Sequence, residues 1–242
     1  MELTPGLDGE PEEVAAALAH GELELLGRLP SSNASFLATV TTEGSSVPVV
    51  YKPRRGERPL WDFPDGTLCR REVAAARLSD LLGWGLVPPT VLRDGPFGVG
   101  MVQLFIDHDP EEHYFTLLDD HPVPLRRMAV FDVVVNNADR KAGHCLRGRP
   151  DGRIWGIDHG LTFHVATKLR TVIWDFAGES LAPEWVDALT DAARRVTTDA
   201  LLGALLTPAE VQATVTRIER LLASGCLPEP HPGRHAVPWP LV

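Results

Sequence analysis

Short apolar-rich stretches bounded by turn signals fill the first part of the chain. The stretches LELLGRLP (23–30), SFLATVTT (35–42) and SVPVVYKP (46–53) are short, the second and third rich in β-branched residues. Turn-forming SSNA and EGS lie between them. That spacing predicts antiparallel hairpins. A longer run follows: LCRREVAAARLSDLLGWG (68–85) predicts a helix, with Asp65 or Thr67 as its cap and a glycine as its stop. TVLRDGPFGVGMVQLFI (90–106) predicts two further strands around the turn RDGPFG.

Helical patterning takes over beyond that point. PLRRMAVFDVVVNN (124–137) has helical length, and GRIWGIDHGLTF (152–163) reads as a short hairpin returning after an RPDG turn. APEWVDALTDAARRV (182–196) sets Trp185, Leu189, Ala192 and Val196 on one stripe. TPAEVQATVTRIERLLASG (207–225) pairs Thr207 with Glu210 as a capping box around Pro208. Its apolar face is Val211, Val215, Ile218 and Leu222, and Gly225 ends it. The pattern divides the chain into an acidic segment (1–22), a small β-rich lobe with one helix (23–105), a helical lobe (106–226) and a proline-rich tail (227–242) anchored by Trp239. Residues 105–109 would join the lobes, and a cleft between lobes is a usual place for a ligand.

Composition narrows the classes of function. A formal charge of −10 argues against nonspecific nucleic-acid binding and against docking on an anionic membrane. No apolar stretch approaches the length of a membrane span. Three widely spaced cysteines, Cys69, Cys145 and Cys226, fit a reducing cytoplasm better than a disulfide framework.

Several polar residues stand at the ends of apolar runs. Lys52 closes a strand, Glu72 lies on a helix face continued by the small Ala76 and Ser79, Asp139 follows VVVNN, and Asp158 lies in GIDHG. Each has a plainer use when read singly: a snorkelling lysine, a solvated glutamate, a helix-end salt bridge, a turn. His144, Cys145, His159 and His164 match no structural zinc spacing.

Taken in order, VVYKP, REVAAARL, MVQLF, NNADRKAGH and GIDHG resemble the phosphatidylinositol 3-/4-kinase-like branch of the protein-kinase superfold, which includes HipA-type kinases. More narrowly they resemble an uncharacterised actinobacterial group. The resemblance covers roughly 23–165 and implies an α+β, bilobal protein-kinase-like fold. It implies that Lys52, held by Glu72, grips the ATP phosphates, and that Ser31, Ser32 and Ser35 stand in a phosphate-covering loop lacking the glycine-rich pattern. Backbone groups of Gln103, Leu104 and Phe105 would meet adenine, with apolar contact from Val102 and Leu104.

By the same resemblance Asp139 orients the acceptor hydroxyl, Arg140 and Lys141 offset phosphate charge, and Asp158 binds Mg²⁺ or Mn²⁺. The family pattern D-R-H-x-x-N places an asparagine metal ligand five residues after the aspartate. This chain has His144 there and Lys141 in place of the pattern's histidine. Imidazole leans toward softer metals than Mg²⁺. Lys168, Arg170 and Trp174 follow Asp158 where such folds bind acceptors. The implied activity is transfer of the γ-phosphoryl group of ATP to a hydroxyl of a soluble protein or small polyol. The alternatives are a nucleotide-binding pseudokinase and an AMP-transferring enzyme.

Overall fold

The computed structural model describes residues 11–242, except Ser32, Glu43, Gly44 and Arg234. Helix α1 (Pro11–His20) leads into strands β1 (Glu22–Leu29), β2 (Ser35–Thr42) and β3 (Ser45–Pro53), then α2 (Leu68–Leu81), β4 (Thr90–Gly95) and β5 (Gly98–Leu104). The five strands form one antiparallel sheet in the order β1-β2-β3-β5-β4, and the hairpins within it are antiparallel as their spacing predicts.

The two faces of this sheet bury different things. Ala38, Val40, Val47, Val49, Tyr51 and Val102 pack with Val14 and Leu18 of α1 on the outer face. Side chains alternate along a strand, so Val50 and Lys52 turn to the inner face, where α2 lies. The α1 helix falls within the stretch read as an acidic segment. Only Val14 and Leu18 of it are needed to cover the sheet, too few for a visible stripe, although its Ala, Leu and Glu residues are strong helix formers.

Helix α2 is buried on most sides because it runs between the sheet and the second lobe, and Ala74, Ala75 and Ala76 let its neighbours close in. Its start differs from expectation. Thr67 makes no side-chain cap; its hydroxyl donates to Pro64 O at 2.7 Å. The Glu57 carboxylate instead accepts from Leu68 N (3.1 Å) and Cys69 N (2.8 Å). Gly83, at φ +67°, ends the helix as expected.

The second lobe contains α3 (Tyr114–Leu117), α4 (Pro122–Val135), the hairpin β6 (Cys145–Arg147) with β7 (Ile154–Gly156), α5 (Pro183–Val196), α6 (Ala200–Leu205) and α7 (Pro208–Ser224). Trp185, Leu189, Ala192 and Val196 are buried together, as their stripe predicts. The Thr207–Glu210 capping box is present, and Glu210 also pairs with Arg71 of α2, tying the lobes together. The tail is held differently from expectation. Trp239 is 87% exposed, and the anchors are backbone: Leu241 O accepts from Ala142 N (2.7 Å), and Ala236 O accepts from Thr171 N (3.0 Å) and Trp174 Nε1 (3.0 Å). No helix among the described residues is long and apolar enough to cross a membrane.

Candidate active site

A cleft of about 290 Å³ opens between the lobes. Its lining includes Lys52, Glu72, Asp139 and Asp158 together with Asn33, Ala34, Arg58 and Leu161. Strand β3 delivers Lys52 from the inner face of the sheet, and its ammonium meets Glu72 Oε1 at 2.7 Å and Asp158 Oδ1 at 3.0 Å. The second oxygen of Glu72 accepts the His159 backbone N–H at 2.7 Å. Burial alone would lower the pKa of Lys52, but the Asp158 and Glu72 carboxylates outweigh it and hold the ammonium charged. The same attraction from Lys52, working against burial, keeps Asp158 well below the usual carboxylate range.

Asp158 adopts φ +59°, a left-handed conformation costly for a residue with a side chain. That twist lets consecutive side chains part: Asp158 faces the cleft, while His159 is wholly buried against Phe131.

The loop after α4 is built on a buried polar network. Asn136 ends α4 at φ 54°, and its amide donates to His164 O and Ala166 O, both at 2.8 Å. The Asn137 amide donates to Asp132 Oδ1 (2.9 Å), and its oxygen accepts the Asp139 N–H (3.0 Å). Asp139 is thereby set at the cleft wall, where Lys141 Nζ stands 3.2 Å from its Oδ2. Burial raises the Asp139 pKa, with the Lys141 charge opposing.

Arg140 does not face the phosphates. It is fully buried, and its guanidinium spans Asp132 (Nε to Oδ2, 2.9 Å), His144 O (3.1 Å), Ile157 O (2.9 Å) and His159 Nε2 (2.6 Å). The physical reason is demand: a buried carboxylate at Asp132 needs a fixed cation, and the planar five-donor fork of arginine satisfies it while clamping two loops. Because guanidinium only donates, His159 Nε2 accepts, so its proton sits on Nδ1. That N–H is buried without a partner among the described residues. Burial holds the His159 pKa well below its ordinary value.

His144 lies beside the aspartate that the metal reading requires, with Nε2 at 3.4 Å from Asp158 Oδ2 and Nδ1 at 3.4 Å from the Lys141 N–H. Burial lowers its pKa to about 4, so the ring is neutral. Among the described residues no cluster of three or more His, Cys, Asp or Glu groups could hold a metal ion. Mg²⁺ in nucleotide sites takes one or two protein ligands and completes its shell with phosphate oxygens and water. Asp158 offers one such carboxylate, while the His144 imidazole beside it is a poorer match for Mg²⁺.

Other expected contacts fall elsewhere. Gln103 is buried and donates to Thr90 Oγ1 at 2.8 Å. The N–H groups of Leu104 and Phe105 are consumed by Pro89 O (2.9 Å) and Pro48 O (3.0 Å), which leaves carbonyls rather than those donors for a base. The side chains of Val102 and Leu104 pack on the outer, α1 face, away from the cleft. Ser31 in the β1–β2 loop is exposed, Ser35 at the start of β2 is buried with no hydroxyl partner among the described residues, and Ser32 lies outside the described residues. Asn33 and Ala34 are the residues of that loop lining the cleft. The loop is tied down by Ala34 N to Gly56 O (3.1 Å) and Arg58 N to Asn33 Oδ1 (2.9 Å).

Lys168 is occupied by Asp62 at 2.7 Å, and Trp174 by the tail, so neither side chain is free for an acceptor. Arg170 is exposed, and its charge acts on Asp139. Asn33, Arg58, Leu60 and Leu161 escaped the sequence reading because they become neighbours only through the fold; the turn signal of SSNAS is the one local hint among them.

No protein-family profile matches the chain. It is 43% identical over 266 aligned positions to protein Rv2133c of Mycobacterium tuberculosis (strain ATCC 25618 / H37Rv), covering 93% of this chain and 94% of that one. Among solved structures, the Golgi casein kinase with Mn/ADP bound superposes with a TM-score of 0.55 at 13% identity, covering 88% of this chain and 75% of the other. Hydra Fam20 with sugar gives a TM-score of 0.56 at 13% identity, covering 90% and 89%. At that identity the likeness concerns the fold, which is the kinase-like α+β architecture expected from the order of motifs.

Proposed function

The chain belongs to the family of protein Rv2133c, and from that premise we propose that it is an atypical ATP-dependent phosphotransferase acting on a hydroxyl acceptor. The observation that carries the reading is the chain of contacts Asp158–Lys52–Glu72–His159 N–H within the interlobe cleft. A lysine held between a helix glutamate and a loop aspartate is the working arrangement for gripping nucleotide phosphates in protein kinases. The finer kinship, to phosphatidylinositol 3-/4-kinase-like enzymes, rests on the D-R-x-x-x-H segment and GIDHG. The acceptor is a soluble protein or small polyol, since a charge of −10 opposes approach to an anionic lipid surface.

In this reading Lys52 holds the α- and β-phosphates, and Glu72 fixes its direction. Asp158, with His144, would hold Mg²⁺ or Mn²⁺, which when bound neutralises phosphate charge. Lys141 restrains Asp139 Oδ2 and leaves Oδ1 for the acceptor. Asp139 takes the hydroxyl proton as the acceptor oxygen bonds to the γ-phosphorus and ADP departs. The pKa raised by burial suits a base working closer to neutrality.

Incubation with ATP labelled at either the α- or the γ-phosphate, in Mg²⁺ or Mn²⁺ with cell extract, separates the chemistries. The expected product carries the γ-label and is lost in Lys52→Met. Transfer of the α-label would assign AMP transfer, and nucleotide binding without either product would assign a pseudokinase.

A further inference from the structure

A second cavity, about 260 Å³, lies beside the cleft. It is built from the segment between β3 and α2, and Glu57, Arg58, Leu60 and Leu68 line both spaces. Arg54, Arg55 and Arg58 stand on its wall, all three exposed. Their guanidinium groups make no hydrogen bond or ion pair among the described residues.

Other arginines of this chain hold an acid, as Arg71 holds Glu210 and Arg77 Asp199, or bond backbone carbonyls, as Arg93 and Arg153 do. Two carboxylates share the cavity wall. Glu57 is spent on the first N–H groups of α2, and Asp65 is exposed and pairs with none of the three. Three like charges within five residues concentrate positive potential on that wall, which favours an anion there, the more so at low salt.

We propose that Arg54, Arg55 and Arg58 form a docking pocket for an anionic group, phosphate or carboxylate, carried by the acceptor of the adjoining cleft. The proposal deepens the phosphotransferase reading and rests on it. The shared wall places such an anion one wall of side chains away from the phosphates gripped by Lys52. The guanidinium fork suits oxyanions through paired, charge-assisted hydrogen bonds. In an acidic protein, a local cationic pocket selects where an acidic acceptor lands and so sets which hydroxyl reaches Asp139.

Titration of inorganic phosphate, and separately of acetate, into the full chain saturated with ADP and Mn²⁺ tests this. One or both should bind in the millimolar range, and the Arg54→Gln/Arg55→Gln double variant should weaken that binding at least tenfold while ADP affinity stays within twofold. Binding of phosphate alone identifies a phosphorylated acceptor, and of acetate alone a carboxylate. Equal anion affinity in the variant, displacement of ADP by phosphate, or no binding of either anion would overturn the pocket. Loss of ADP binding in the wild type is a separate failure: it sinks the phosphotransferase reading and is read from the ADP titration alone.

Discussion

The two walls of the cleft are held by opposite means. On the C-lobe side, Asp132, Asn137, Arg140 and His159 are essentially removed from water and bonded to one another, and they fix the loops bearing Asp139 and Asp158. On the N-lobe side the β1–β2 loop hangs from a pair of hydrogen bonds to residues 56–58, and three exposed arginines line the adjoining cavity. In the proposed reading, the groups assigned to chemistry are pre-organised, and the arginines proposed to meet an anion are left for that ligand to organise.

The sharpest way to break the contrast is Arg140→Met. It strands Asp132 as a buried charge, and loss of one member of a buried pair costs about 3–5 kcal/mol. Urea unfolding should register that, whereas Arg54→Gln should fall within about 0.5 kcal/mol of wild type. A small effect of Arg140→Met would mean that the C-lobe network is not what holds the loops.

Asp139→Asn comes next and tests chemistry rather than folding. Transfer should fall by about a hundredfold or more, with ADP affinity unchanged in a parallel titration. Turnover at the wild-type rate would reduce Asp139 to a loop residue.

Acidification probes the same wall without mutation. His144 and His159 are held neutral by burial, with His144 at about 4. Their native pKa values lie below the unfolded one, so the unfolded chain takes up protons first as pH falls. Stability is therefore complete above about 6.5 and is lost between there and about 4, by on the order of 1–3 kcal/mol for His144. Thermal melts of the metal-free protein should drop across that window, and a flat profile would mean that both rings charge freely in the native state. Asn33→Ala is the mildest change. It removes the acceptor for the Arg58 N–H and should cost about 1 kcal/mol. Hydrogen exchange should quicken at Arg58 and Ala34 and remain unchanged at Asp139.

The sequence disclosed what periodicity and order can carry. Hairpin spacing, the Trp185 stripe, the Thr207 capping box and the glycine stop of α2 are local properties, and each is present. Lys52, Glu72, Asp139 and Asp158 were legible only through the ordered motifs that resemble a kinase family, each having a plainer use when read singly, and the fold brings all four to one cleft. Arg140 was misread because its partners, Asp132, Ile157 and His159, lie up to 19 residues away and nothing local reveals whether an arginine turns inward. The Leu104 and Phe105 N–H groups are satisfied by carbonyls of other segments, which no propensity records. Glu57 caps α2 from 12 residues before Cys69, beyond the reach of a capping motif confined to one turn.

The divided carboxylate of Glu72 has a mechanical consequence. One oxygen belongs to the lysine of the sheet and the other to a backbone amide of the opposite lobe, so α2 acts as a linchpin between the two lobes. A hydrogen bond weakens steeply with stretching and misalignment, and both bonds pivot on the same carbon. A shift of α2 therefore strains both bonds together, and the Glu57 latch at its start and the Arg71–Glu210 strut on its flank are the contacts through which such a shift would reach the cleft.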